Sequence, residues 1–437
     1  MPRSSPDVPV YDVVGVGFGP SNLALAIALT EQSGPGRPTA VFLERQERFG
    51  WHRGMLLDDA TMQVSFLKDL VTLRDPTSRF SFLCYLKEKG RLVDFINHKT
   101  LNPLRVEYHD YLEWAAAQVD DSVRYGHEVI AVRPAGTDTD GGVDLVDVLV
   151  DTGAGTTVYR ARDLVFATGL RPRLPGGVVA GDRIWHSGEL LHNLGRLTGA
   201  TPARFVVVGA GQSAAEVTAR LHEQFTDAEV YAVFARYGYT PADDSSFANR
   251  IFDPAAVDDF YDAPAEVKNQ LMGYHGNTNY AVVDGDLIAE LYRRSYQEQV
   301  LGRRRLHMLN VTRLAAATAH DAGVRVVVET LTTGERRTLD ADILVCATGY
   351  DPVDPTMLLG ELGDHCERDG HGRLRVHRDY RVATRDTLRC GVYLQGGTEH
   401  SHGISSSLLS NGAIRAAEIV TSIAARRAVQ TPAAARV

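Results

Sequence analysis

Read as a pattern of apolar and polar positions, the chain opens with a short strand-like run, Val10-Tyr11-Asp12-Val13-Val14. Glycines follow at once, Gly15-Val16-Gly17-Phe18-Gly19-Pro20, and then Ser21 to Leu29 reads as helix. A second strand, Ala40-Val41-Phe42-Leu43 with Glu44 at its end, closes a strand–helix–strand unit of about 30 residues. The same order returns further on: Arg204 to Val208, then Gly209-Ala210-Gly211-Gln212-Ser213-Ala214, a helix through Leu221, and a strand from Val230 to Phe234. Two such units predict two nucleotide-binding domains on an α/β plan.

A quieter repeat says how they are joined. Leu145 to Val150, a turn at 152–155, Thr156 to Arg160, and Asp163 to Phe166 read as a meander ending in Ala167-Thr168-Gly169. Val324 to Thr330, a turn at 332–334, Arg336 to Leu339, and Asp342 to Cys346 repeat it, ending in Ala347-Thr348-Gly349. Strand pairs joined by Gly-containing turns are hairpins. Each Ala-Thr-Gly then marks a passage from one sheet to the other domain, which nests the second domain inside the first. The expected boundaries are 1–170 with 346–437, and 171–238 with 303–345. The remainder, 239–302, is Asn/Asp-rich and then helical from Asp286 to Tyr292, and is expected to be an insert that carries substrate specificity. From Thr421 the chain is Ala/Arg-rich without clear apolar periodicity and reads as frayed.

Composition narrows the classes more than it names one. The 437 residues suffice for two or three domains, and 44% hydrophobic with 23% charged residues fits a globular protein. With 46 Lys+Arg against 55 Asp+Glu, the formal charge is −9, which disfavours a nucleic-acid partner. No apolar run reaches the roughly 18 residues of a membrane span. The first ten residues hold one Arg, three Pro and no apolar stretch, so no secretory leader is expected there. The four cysteines, Cys84, Cys346, Cys366 and Cys390, are far apart, with neither metal spacing nor a CxxC pair. A reduced cytoplasmic setting is expected.

The glycine turns ask for dinucleotides. Glycine lets backbone approach a pyrophosphate lying on a helix N-terminus, which Gly15, Gly17, Gly19 and Pro20 would provide in the first unit. Glu44 at the end of the next strand suits ribose hydroxyls. The second unit, with Gly209, Gly211, Gln212 and Ser213, has Ala235-Arg236 in place of the acid. An arginine pairs with a 2′-phosphate that an acid would repel, so the second site leans towards NADPH. Two dinucleotide sites imply hydride transfer from nicotinamide to flavin. Without a redox-active cysteine pair, molecular oxygen is the expected electron acceptor.

At this point the chain resembles the flavin-dependent N-hydroxylating monooxygenases, and among them the L-ornithine N-monooxygenases. The resemblance runs from about residue 10 to 420. Its landmarks include Val13 to Leu23, Trp51-His52, Met62-Gln63-Val64-Ser65-Phe66-Leu67-Lys68-Asp69-Leu70 and Arg74-Asp75-Pro76. Further on come Glu107 to Tyr111, Gly211 to Glu216, Phe247-Ala248-Asn249, Asn277 to Tyr280, Ala347 to Tyr350 and His402 to Ser410. It implies two Rossmann-like domains, one for FAD and one for NADPH, with a small, mainly helical substrate insert. It places Trp51, His52, Gln63, Val129 and Leu408 at the flavin dinucleotide beside Gly15, Gly17, Gly19, Pro20 and Glu44. Lys68 would pair with the substrate carboxylate, Asn249, Phe252 and Asn279 would line the amino-acid site, and Asn279 would also lie near the NADPH ribose. Ser410 would meet the side-chain amine. The family tends to tetramers.

The amine end has its own logic. Attack on the distal oxygen of a flavin C4a-hydroperoxide needs a neutral amine, and an alkylamine is mostly protonated at neutral pH. A carboxylate beside it would hold the proton on; a neutral Ser or Asn with partial desolvation would not. The residues placed there are neutral, and no side chain is assigned as acid or base. The His400-Ser401-His402 run lacks an acidic or Cys partner, so no metal site is expected. Ornithine is the expected substrate for making hydroxamate siderophores or related products. A lysine N-hydroxylase is the near alternative, differing by one methylene, worth about 1–3 kcal/mol in a pocket. A non-catalytic dinucleotide sensor or electron-transfer reductase is the alternative from another class.

Overall fold

The structure is a computed structural model, and it describes residues 8–32, 37–136, 141–197, 199 and 201–430. Strand Val10–Val16 lies inside a seven-stranded sheet, parallel to Ala40–Leu43 on one side and to Thr156–Phe166 on the other. Its apolar half is buried on both faces, as a parallel strand between two covering layers requires. Thr156–Phe166 is a single strand with two partners along one edge. Its first half pairs antiparallel with Val146–Asp151, and its second half pairs parallel with Gly391–Leu394. The break expected after Arg160 is absent because Ala161 and Asp163 are buried. The Asp163 carboxylate accepts the Gly391 amide at 2.7 Å instead of turning the chain.

The second sheet is all parallel, in the order Leu306–Leu309, Glu229–Val233, Arg204–Val208, Ile343–Cys346, Ile184–His186. Here the meander does break. Arg336–Ala341 stays in a three-stranded antiparallel sheet, and Asp342 starts the next strand by accepting the amides of Ala203 and Arg204 at 2.7 and 2.8 Å. Helix Gly285–Val300 packs on helix Gln212–Gln224 and connects Glu229–Val233 to Leu306–Leu309. This differs from the expectation that all of 239–302 is an insert. Leu287, Ile288 and Leu291 make an apolar stripe that covers the second sheet, so this helix is the crossover of that sheet. The residues outside that frame are the short helices Ala248–Phe252, Ala256–Asp262, Ala265–His275 and Gly276–Thr278.

The parallel strands of each sheet thus have helices on one face and antiparallel strands on the other. The two Ala-Thr-Gly stretches lead into Leu170–Pro172 and Tyr350–Pro352, which pair antiparallel in a two-stranded ribbon between the sheets. The frayed tail expected from Thr421 is instead helix as far as the structure describes it. Gly412–Gln430 packs along Pro20–Thr30, with Ala416, Ile419, Val420 and Ile423 buried. That 3–4 spacing outweighs the Ala/Arg-rich composition, and Arg427 reaches Asp12 at 3.3 Å. Residues 431–437, and the first seven residues on which the leader expectation partly rested, lie outside the described ones. No described helix is long and apolar enough to cross a membrane.

Candidate functional site

The first glycine turn is fixed by a carbonyl. Gly17 has φ +83°, and a Cβ there would sit 2.6 Å from the carbonyl oxygen of Ala167, the alanine of the first Ala-Thr-Gly. A Cβ on Gly15 would meet the Phe42 ring at 2.2 Å, whereas one on Gly19 would touch nothing. Gly19 is the N-cap of helix Pro20–Thr30, without a side-chain cap and without an acid in the first turn, so its end is open to an anion. Glu44 is buried and holds the turn from the next strand, accepting the Phe18 amide at 2.6 Å and the Gln46 amide at 2.9 Å. Each carboxylate oxygen keeps a lone pair for a hydroxyl. Val129 follows the same corner, where Gly126 and His127 donate to the Gln46 and Glu44 carbonyls at 3.0 and 2.8 Å.

Arg415 was not among the residues expected here. Its side chain is fully buried, donates to the Ser406 carbonyl and to Ser21 Oγ at 3.1 Å, and among the described residues has no carboxylate within ion-pair distance, Glu418 acting only from further off. Burial pushes its pKa below the usual arginine value. A desolvated cation beside an open helix N-terminus fits the diphosphate of a dinucleotide. The only signal in sequence is an arginine set in the apolar stripe of Ala413, Ala416 and Ile419.

The second turn repeats the wedge with different charge. Gly209 has φ +150°, and its Cβ would lie 2.3 Å from the carbonyl oxygen of Ala347, in the second Ala-Thr-Gly. Gly211 caps helix Gln212–Gln224, and Ser213 is half-buried in its first turn. The Gln212 amide is spent inside the protein: Nε2 donates to Asp284 at 2.9 Å and Glu216 at 3.0 Å, and Oε1 accepts the Asp284 amide at 2.8 Å. Arg236 is exposed and donates to the Ala281 carbonyl at 2.9 Å.

Between the turns, Trp51 and His52 form an aromatic chain with Tyr350 and His186. His52 is held with φ +53°, and burial, with the nearby Arg105 and His186, lowers its pKa to about 4, so it is neutral at pH 7. His186 accepts the Gly188 amide at Nδ1, which leaves Nε2–H to donate to the Gly349 carbonyl at 2.9 Å. Gln63 is exposed and donates to Asp284 at 3.3 Å.

The amino-acid residues converge in part. Lys68 Nζ stands 5.8 Å from the Phe252 ring centre, and the Ala248–Phe252 turn packs on the Ile404–Ser407 turn. Asn249 donates to the Asp244 carbonyl at 2.6 Å, leaving its own oxygen as an acceptor. Asn279 is half-buried and precedes Tyr280, whose hydroxyl donates to Glu399. Leu408 is half-buried beside the Ile404–Ser407 turn. Ser410 is buried with no hydrogen-bond partner for its hydroxyl, and the same holds for both amide atoms of its neighbour Asn411, a residue that sequence alone did not single out. A buried polar atom left unpaired costs about 1–3 kcal/mol, so such a pair marks a place where a ligand supplies the missing bonds.

The ring nitrogens of His400 and His402 are bonded to the Leu374 and Arg378 carbonyls at 3.0 and 3.2 Å. Among the described residues no group of three or more His, Cys, Asp or Glu could hold a metal ion. All four cysteines are free, and burial pushes Cys346 and Cys390 up to about 12 and Cys366 up to about 11.

Residues 9–352 match the family described as L-lysine 6-monooxygenase/L-ornithine 5-monooxygenase. An L-ornithine N(5)-monooxygenase of Burkholderia cepacia is 42% identical over 401 residues, covering 90% of each chain. A solved ornithine N-hydroxylase of Kutzneria sp. 744, with reduced FAD, NADP+ and L-ornithine, is 50% identical with a TM-score of 0.92, covering 96% of this chain and 100% of that one. The ornithine hydroxylase of Pseudomonas aeruginosa is 36% identical with a TM-score of 0.90 and the same coverage. The chain belongs to the L-lysine 6-monooxygenase/L-ornithine 5-monooxygenase family.

Proposed function

We propose that this chain is an FAD-containing L-ornithine N5-monooxygenase that takes electrons from NADPH and oxygen from O2. The balance is one amine, one O2, one NADPH and one proton in, and one hydroxylamine, one NADP+ and one water out. The flavin supplies the oxygen-activating chemistry when bound; the chain binds, orients and excludes water. Helix Pro20–Thr30, Glu44 and Arg415 hold the FAD diphosphate and ribose. Gly209, Gly211, Ser213 and Arg236 hold NADPH. Lys68 takes the ornithine carboxylate, Asn249 and Asn279 the α-amino end, and Phe252 the aliphatic stem. Ser410, with Asn411, receives the side-chain amine.

The observation that carries this reading is the pair of neutral, unpartnered groups at Ser410 and Asn411. A carboxylate there would keep the amine protonated and inert; a hydroxyl and an amide accept and donate without doing so. Lysine is the second reading, since the same family acts on it. The residues 1–170 and 346–437 are assigned to FAD, 171–238 and 303–345 to NADPH. Of 239–302, the part before helix Gly285–Val300 is assigned to the amino acid. A cytoplasmic homotetramer is the proposed assembly, supported by four free thiols and by family habit, and light scattering of the purified protein tests it.

The decisive assay measures hydroxylamine formed by the yellow protein with ornithine, with lysine and with neither. More product per NADPH with ornithine is expected; NADPH oxidation indifferent to both amines, without hydroxylamine, sinks the reading. Lys68→Ala should raise the ornithine KM by about 10–100-fold, the worth of one charge-assisted bond, while flavin reduction by NADPH changes little.

A further inference from the structure

Asp284 occupies the N-cap position of helix Gly285–Val300, yet its side chain does not cap that helix. A capping aspartate stabilises a helix by about 1 kcal/mol, and this one is used elsewhere. Oδ2 accepts from Gln212 Nε2 at 2.9 Å and Oδ1 accepts from Gln63 Nε2 at 3.3 Å. Gln63 lies on the segment leading to Lys68, and the family resemblance puts it at the flavin. Gln212 is the first residue of the helix behind the second glycine turn. Gln212 is tied further to Glu216, and Glu216 to Arg105 through two bonds of 3.0 and 2.7 Å. Arg105 in turn donates to the Met55 carbonyl at 3.0 Å.

We propose that Asp284 is a positioning residue: it sets which end of the Gln63 amide is presented to the paired cofactors and holds the two cofactor sites in register. This rests on the function proposed above. An ionised carboxylate only accepts, so both glutamines must turn their NH2 groups towards it. The Gln63 carbonyl oxygen would then be the end left for the bound cofactors. Hydride transfer needs reacting atoms about 3–3.5 Å apart, and here the two cofactors stand on different sheets. Their register would pass through side chains that link the two sites, and Asp284 bonds one on the Gln63 segment and one on the second glycine-turn helix.

The bridge makes a sharp prediction. Asp284→Asn keeps the shape but puts an NH2 where one carboxylate oxygen was, so one glutamine must flip. Gln212 is held by two other bonds, to Glu216 and to the Asp284 amide, so Gln63 is the one that turns. It then offers an NH2 to the cofactors in place of an oxygen. Exchanging the partners, Asp284→Asn with Gln63→Glu, restores every donor–acceptor pair. The new carboxylate accepts from the new amide and keeps an oxygen towards the cofactors.

The test uses the FAD-loaded full chain and reads four quantities: the rate of flavin reduction by NADPH, the fraction of NADPH recovered as N-hydroxyornithine, FAD content, and melting temperature. D284N is expected to lower reduction or coupling by about tenfold, the worth of roughly 1.4 kcal/mol, with FAD content and ornithine KM near the parent. The D284N/Q63E exchange is expected to recover most of that loss. The proposal is overturned if D284N stays within about twofold of the parent in both quantities, or if the exchange is no better than D284N. If D284N alone does not fold, the exchanged pair still decides, by reducing its flavin normally or not. A parent that makes no hydroxylamine defeats the ornithine reading, while flavin reduction continues to report on Asp284.

Discussion

At the first glycine turn two buried charged groups stand ready, Glu44 and Arg415, while the strand after the second turn leads to Ala235 and an exposed Arg236 where the first has its acid. The backbone geometry is shared, each turn closing on the carbonyl of an Ala-Thr-Gly alanine. The difference lies in desolvation. A guanidinium buried without a carboxylate costs several kcal/mol until an anion arrives, so the first site favours being permanently filled. An exposed arginine contributes about 0–1 kcal/mol through a contact that water screens, which suits a ligand that must leave every turnover. Under the proposed function, the same turn would serve a resident cofactor in one place and an exchanging one in the other.

The comparison breaks first at the glycines. Gly17→Ala drives a Cβ into the Ala167 carbonyl at positive φ and should yield colourless protein; Gly209→Ala should stay yellow but lose reduction by NADPH. Flavin absorbance and reduction kinetics read both, with at least about 100-fold losses expected, each at its own site only, from strain of about 1–3 kcal/mol plus the displaced phosphate contacts. Arg415→Leu should come next, weakening FAD by about 30-fold or more in a titration of the apoprotein, with Arg415→Lys between it and the parent. If Arg415→Leu retains FAD like the parent, the buried cation is not the diphosphate's partner. Arg236→Ala should cost up to about fivefold in kcat/KM for NADPH and little for NADH; an equal loss with both would make its role merely structural.

The smallest effect is in acid, at the junction between the turns. His52 has a folded pKa of about 4 against an ordinary 6.5, so the unfolded chain takes up the proton first. Its stabilisation is whole above about pH 6.5 and drains away as the pH falls towards 4, its size reduced by the screening of the solvent that reaches this exposed residue. His402, also lowered to about 4 by burial, adds to the same trend. In His52→Asn, which tolerates the left-handed backbone, the melting temperature should drop a few degrees less than the parent's between pH 7 and 5. An unchanged slope would mean that His52 does not carry the acid sensitivity.

Both glycine turns were legible because their signals are local: an apolar strand, glycines and a helix within one short span. The Ala167-Thr168-Gly169 and Ala347-Thr348-Gly349 repeat was legible too, and each copy leads into one strand of the ribbon between the sheets. What failed was pairing at a distance. The Asp286 to Tyr292 pattern correctly reads as helix, but periodicity does not say which sheet its Leu287–Leu291 stripe covers. The meander break before Asp163 looked real until Gly391 supplied a partner from far along the chain. The Thr421 tail was judged on composition when its spacing was helical. Lys68, Asn249, Asn279 and Ser410 came from the family resemblance, whereas Asn411, Arg415 and Asp284 have no motif. What marks them is burial without a partner, or a carboxylate turned from its own helix, and only coordinates show that.

The ribbon of Leu170–Pro172 and Tyr350–Pro352 places Pro172 directly opposite Tyr350, so the segment between them enters and leaves through neighbouring strands about 5 Å apart. In engineering terms this is a socket: a module whose ends lie side by side can be spliced out and replaced without re-routing the host chain. A chimaera exchanged at that ribbon would bring its donor's nicotinamide preference with it and leave the host's flavin site in place.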